Sequence, residues 1–166
     1  MNAADPQRQN CYAWERSFRP VEETPAAISV RKPFAPEFLQ FFATAWEYGY
    51  GLHGKSRVRE LPQFVCAERL PKLRYCNRLR RVRAMADMRF DRKGVFGPTI
   101  TMGPLYTRPI LLHEIAHVLT NGDWHGPDFC RVALDLYVKF LGVEESHALW
   151  FARQHGVRVA AALVGA

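Results

Sequence analysis

HEIAHVLTNGDWHGPDF, residues 113–129, holds three of the chain's six histidines. On a helix, residues four apart share one face, so His113 and His117 present their imidazoles to one point. Both can reach a single ion at the usual Zn–N distance of about 2.0–2.1 Å. Glu114 sits one position round the helix, where a carboxylate can take a proton from water activated by the ion without ligating it. Ile110, Leu111, Leu112, Ile115, Ala116, Val118 and Leu119 make this helix apolar nearly all round, so it is expected to be central. Charge in such a helix is expensive unless paired or ligated. The context therefore separates this H-E-x-x-H from a chance match of three residues.

The third ligand has several candidates. Asn121-Gly122 tolerates the left-handed backbone that ends a helix, and the chain can then turn and bring His125 back toward the metal. Asp123 is the rival, six residues after His117. Glu144 and Glu145 stand where some enzymes place a glutamate ligand on a later helix. His125 leads because Gly126-Pro127 already starts the next helix directly after it.

Working outward, Pro109 fits the first turn of a helix over 109–121. The helix after Pro127 runs DFCRVALDLYVKFL and stops at Gly142, and a last one covers about 144–155 and ends at Gly156. Upstream, Asp91 to Gly94 is a turn signal between RVRAMADMRF and VFGPTITM, which predicts a hairpin of about 82–90 with 95–102. Its charged face carries Arg81, Arg83 and Arg89. Its outer strand, near Thr99 to Met102, is expected to be an edge able to pair with an extended peptide. Pro36 opens a helix on which Phe38, Leu39, Phe42, Ala45 and Trp46 recur at helical spacing and face the core; it fails near Gly49 and Gly51. Asp5-Pro6 reads as a helix start with Asp5 as cap, docked by Tyr12 and Trp14, and residues 17–33 read as an extended connection. Residues 52–80 are ambiguous between a helix around Leu61 to Leu70 and a strand around Arg57 to Arg59.

Composition sets the remaining bounds. The chain has 166 residues, 48% of them in the AVILMFWYC set, which suits one domain with a real core. Cys11, Cys66, Cys76 and Cys130 lack zinc-knuckle spacing and are expected as thiols in or near the core. MNAADPQRQN does not read as a signal peptide, and no apolar run approaches the ~20 residues that span a bilayer. The expected location is the cytoplasm, with no membrane partner. The net charge of +7 is concentrated in residues 72–93, with nine Lys/Arg against Asp87 and Asp91. Such a patch is expected to be a solvated basic face, making at most weak, non-specific contact with nucleic acid.

LLHEIAHVL followed by WHGPDFCRVALDLYVKFLG resembles the SprT-like zinc metalloproteases over about residues 95–141. QRQNCYAWE, the arginine-rich hairpin, LYTRPILLHEIAHVLT, HGPDF, DLYVKFLG and ARQHGVRV together resemble a small actinobacterial family of zinc metallohydrolases over most of the chain. The resemblance implies an α+β, zincin-like core: a short, mostly antiparallel sheet packed against the H-E-x-x-H helix and further helices. It implies residues 1–166 as one domain, with 1–33 as N-terminal helix and connection and 82–142 as hairpin and metal-binding core. It implies Zn2+ on His113, His117 and His125, with Glu114 as catalytic base. The expected activity is zinc-dependent hydrolysis, of a peptide or protein substrate first, with Tyr106 a candidate oxyanion donor. The alternative is a zinc-stabilised nucleic-acid-binding or protein-binding module. Glu114 argues against it, because a structural site needs ligands but no base beside them and usually takes four protein ligands.

Overall fold

The structure is a computed structural model that describes residues 5, 7–20, 33–54, 70–79, 84–90, 96–120 and 124–162. Its elements run α1 (Arg8–Phe18), α2 (Pro36–Gly49), a π-helical turn (Tyr50–Gly54), β1 (Lys72–Tyr75), β2 (Ala84–Phe90), β3 (Phe96–Met102), α3 (Arg108–Leu119), α4 (Pro127–Leu141) and α5 (Glu145–Gln154). This is an α+β fold with a three-stranded mixed sheet and a zincin-like core.

α3 is the centre. Thr107 caps it by accepting from the Ile110 N–H at 3.4 Å, and a proline stands in its first turn where no donor is needed. Its residues from Pro109 to Ala116 are all buried, so it has no solvent face. β2 and β3 cover one side, while α2 and α4 pack on the others. Gly49 lets α2 come close: a Cβ there would stand 2.7 Å from Leu119 Cδ1 and 3.3 Å from Leu136 Cδ2. The expected stops of the later helices hold. Gly142 and Gly156 take φ of +66° and +64°, the left-handed region open to glycine.

β2 and β3 form the expected hairpin, antiparallel from Ala84↔Met102 to Phe90↔Phe96. The edge is elsewhere than expected. β1 pairs parallel with the same Thr99–Met102 stretch (Lys72↔Thr99, Tyr75↔Met102), so β3 is the middle strand of the order β1-β3-β2. β2 is the edge beside α3. Pro98 is tolerated in β3 because it precedes the part that β1 reaches. β1 is only four residues long, alternating exposed Lys72 and Arg74 with half-buried Leu73 and Tyr75, which left too short a pattern to read.

Two further expectations change. Leu39 is 45% exposed, while Phe38, Phe42, Ala45 and Trp46 are buried as expected. Position 39 falls beside the apolar stripe of α2, not on it. Asp5 does not cap α1: Gln7 holds the N-cap position without a side-chain bond, and the Asp5 carboxylate goes to His125. The helix or strand expected within 55–69 lies outside the described residues, as do Arg80, Arg81, Arg83, Arg92 and Lys93 of the basic segment. Cys11, Cys76 and Cys130 are free thiols. Among the described residues no helix is long and apolar enough to cross a membrane.

Because α3 is buried on every side, truncating it should be costly. Leu111→Ala is expected to destabilise by about 2–5 kcal/mol through lost contacts and a residual cavity. Leu39→Ala should stay within about 0.5 kcal/mol, as at other exposed sites. Urea unfolding of the two variants checks the contrast, and a large loss at Leu39 would refute the exposed placement.

Candidate metal centre

Helical spacing places His113 and His117 one turn apart on α3. Their Nε2 atoms lie 3.1 Å from each other, and His125 Nε2 lies 3.4 Å from His113 Nε2. All three ligand atoms fall within 4.8 Å of one another. A tetrahedral ion with Zn–N bonds of 2.0–2.1 Å spaces its nitrogens by about 3.3 Å, so the three are geometrically suited to chelate one metal ion. His113 and His125 are buried and His117 is half-buried.

The backbone turns at the residue just before His125. Trp124 takes φ of 51°, the one positive value at a non-glycine among the described residues. That conformation costs roughly 1–2 kcal/mol for an L-residue. It is held from both sides: His117 hydrogen-bonds the Trp124 backbone, and the next residue is engaged in the cluster. The Trp124 side chain is 54% exposed. Asp123 lies outside the described residues. Glu144 and Glu145 stay out of the cluster: Glu144 accepts from Ser146, and Glu145 pairs with Arg131 at 2.8 Å.

Aromatic rings lock the imidazoles. Phe129, in the first turn of α4, packs on all three, with centroids 5.0, 4.4 and 4.9 Å from His113, His117 and His125. Tyr12 of α1 stacks on His113 at 5.7 Å and meets His125 edge-on at 5.0 Å. Arg8 lies over the Tyr12 ring, 5.8 Å from its centroid.

The outer nitrogens of two histidines meet carboxylates. His113 Nδ1 is 2.8 Å from Glu15 Oε1, and His125 Nδ1 is 2.6 Å from Asp5 Oδ2. Glu15 is fully buried. Its Oε1 also accepts from Tyr137 Oη at 2.7 Å, and its Oε2 faces Arg19 at 3.5 Å. Burial pushes the Glu15 carboxyl up, but the charge and hydrogen bond of His113, with Arg19 and Tyr137, outweigh it and hold it below the usual range. Burial likewise pushes His113 down, and Glu15 more than offsets this, leaving it raised. His117 falls well below its ordinary value through burial and the charges of His113 and His125; His125 falls mainly through burial, against the pull of Asp5.

Glu114 points to the sheet side. It is buried, its carboxylate takes a hydrogen bond from the Ala86 backbone on β2, and its pKa is raised by burial against the opposing charge of His113. Tyr106 is occupied elsewhere: its hydroxyl donates to the Pro33 carbonyl at 2.8 Å, and its ring packs on Phe34 and Phe38. It is a core residue.

Asp5, Tyr12 and Glu15 were not singled out as site residues from the sequence. A signal existed for Glu15. Cys11, Trp14, Glu15 and Phe18 recur at the spacing of one helix face, and a carboxylate among apolar neighbours needs a partner. Nothing local named that partner as His113, 98 residues on. Comparison with protein-family models, with curated proteins and with solved structures returns no match, so this geometry carries the functional reading.

The opposed shifts give a pH signature. In metal-free protein, His113 should remain protonated above the ordinary histidine value, while His117 and His125 should become neutral below it. Histidine NMR titration of the chelator-treated protein checks this, and three coincident ordinary titrations would contradict the described packing.

Proposed function

We propose that the protein is a zinc-dependent metallohydrolase, most simply a peptidase, with His113, His117 and His125 as metal ligands and Glu114 as general base. The observation that carries the reading is the pairing of three convergent imidazoles with a buried carboxylate that ligates nothing and points to the sheet edge. When bound, zinc supplies Lewis acidity, lowering the pKa of a coordinated water toward neutrality and polarising a carbonyl. The chain's own residues do the rest. The three imidazoles would hold the ion. Glu114 takes the proton of the attacking water and returns it to the leaving amine. Burial raises its pKa against the opposing charge of His113, which favours proton uptake. The phenol of Tyr12, on the same side as two of the ligands, narrows the approach.

The sheet supports a peptide substrate. β2 is an edge, and its Ala86 N–H is turned to Glu114, so at this residue the outer edge of the strand faces the proposed base. An extended peptide adding along β2 would pass beside Glu114. The edge strand in this reading is β2, in place of the Thr99–Met102 stretch.

The purified protein should bind one zinc per chain, and His113→Ala, His117→Ala and His125→Ala should each lower occupancy sharply. Glu114→Gln should keep its zinc and lose about 10²–10⁴-fold in turnover, the usual scale for a general acid–base group. With the substrate class open, both forms are incubated with unfolded proteins and a peptide library, with and without single-stranded DNA, and new termini are read by mass spectrometry. Cleavages made by wild type and absent with Glu114→Gln support a peptidase, and stimulation by DNA would assign the basic segment a role in it. Equal cleavage by both refutes Glu114 as base. Zinc binding without any hydrolysis, of peptides or of small amides, favours a binding module instead.

A further inference from the structure

Among the described residues, the two carboxylates bonded to the outer nitrogens of the histidine cluster come from one short segment, residues 5–15, far from the motif in sequence. Asp5 reaches His125 across 120 residues and Glu15 reaches His113 across 98. We propose that Asp5 and Glu15 are positioning residues of the metal centre: each fixes one histidine as its Nδ1–H tautomer and aims the Nε2 lone pair at a shared ion. The proposal rests on the metal reading above.

The physical case starts from the imidazole. A neutral ring carries one proton, on Nδ1 or Nε2, and only the bare nitrogen can ligate. For His113 and His125 the nitrogens that converge are Nε2. Both rings must therefore hold their proton on Nδ1. A carboxylate at 2.8 or 2.6 Å from Nδ1 selects that form, because it accepts and cannot donate. Both contacts are sheltered, with the Asp5 side chain 9% and the Glu15 side chain 2% exposed. Water there competes poorly for the Nδ1 protons.

Charge makes the same demand. Three neutral imidazoles leave a dication's full charge in a buried pocket, and such charge is costly without opposite charge nearby. Asp5 and Glu15 supply two negative charges through the rings. Neither is free to swing away. Glu15 is held by Tyr137 and Arg19. Asp5 precedes Gln7, whose side chain bridges two other parts of the chain: Nε2 donates to the His125 carbonyl at 3.1 Å, and Oε1 accepts from the Arg158 N–H at 2.7 Å. Trp14 Nε1 ties the far side of α1 to the Ala148 carbonyl of α5 at 2.7 Å. The N-terminal helix is thus fastened at both ends with its acids against the ligands. Among the described residues His117 meets no such carboxylate; its partner is the Trp124 backbone.

The test separates positioning from metal binding. Long-range 15N spectra of the metal-free protein, taken above the histidine titrations, report the tautomer of each ring. Wild type should show protonated Nδ1 and bare Nε2 at His113 and His125. Asp5→Ala should shift His125 toward the Nε2–H form and leave His113 unchanged, and Asp5→Asn, which keeps an acceptor oxygen, should restore it in part. Zinc affinity, read by competition with a chromophoric chelator, should fall about 10–100-fold in Asp5→Ala and in Glu15→Gln, the range for outer partners of metal-bound histidine, with Asp5→Asn intermediate. Wild-type tautomers and affinity in Asp5→Ala overturn the proposal, as does an Nε2–H form at either ring in wild type. Should Glu15→Gln fail to fold, the Asp5 variants decide. Absence of zinc binding by wild type would refute the metallohydrolase reading, while the tautomer spectra still judge whether the carboxylates set the rings.

Discussion

Three imidazole nitrogens lie within 4.8 Å of one another, two of the pairs at 3.1 and 3.4 Å, in a largely buried pocket. Bare lone pairs at that separation repel, and one proton can relieve only part of the repulsion. In metal-free protein, at pH below the raised titration of His113, that proton belongs on His113 beside Glu15, which leaves His117 and His125 neutral. A metal ion would take the proton's place and bind all three lone pairs at once. The rest of the fold can be understood as holding this meeting point still. Phe129 packs against all three rings, Tyr12 covers two of them, and a buried helix fixes the spacing of the first pair.

The parts of the centre come from different ranges of the chain. α3 supplies two histidines and the glutamate through local helix geometry alone. The third histidine depends on a strained residue, Trp124, and on a helix start at Gly126-Pro127 that stops the loop from drifting. The outer acids depend on α1, which is docked by its buried Cys11 and Trp14 and by the hydrogen bonds of Gln7 and Trp14 to the C-terminal part of the fold. An arrangement of this kind links metal affinity to tertiary packing: loosening the contact of α1 with α5 would disorder the Nδ1 partners without touching a ligand.

Legibility in the sequence followed the same division. The H-E-x-x-H helix, the Gly126-Pro127 start and the Gly142 stop could be read because each rests on residues within a few positions of one another. The hairpin of β2 and β3 was legible from its turn and alternation. What escaped was set by partners distant in sequence. β1 is four residues alternating charged and apolar after Pro71, and only its pairing with Thr99–Met102 makes it a strand and covers the side of β3 that was expected to be an edge. Asp5 looked like a helix cap because a cap is the local use of an aspartate before a proline; its actual partner is 120 residues away. Leu39 looked like core because one turn of spacing cannot tell the centre of an apolar stripe from its border. Tyr106 stood close to the motif in sequence, yet its hydroxyl is committed to the Pro33 carbonyl.

The two buried glutamates show how the fold separates structural from chemical roles. Glu15 is surrounded by donors and cations: His113, Tyr137 and Arg19. It is therefore held charged, with a pKa below the ordinary range, and protonation would weaken its bonds to His113 and Arg19. Glu114, on the other side of the same helix region, has the Ala86 backbone as its hydrogen-bond partner and feels burial and the charge of Glu15, both of which push it up. A carboxylate fixed as an anion can orient and neutralise, but it cannot carry a proton through a reaction. One poised toward its neutral form can. Environments that drive two carboxylates in opposite directions mark distinct acid–base roles. On that ground the proton-transfer role in the proposed hydrolysis falls to Glu114, and Glu15 serves the ring it holds.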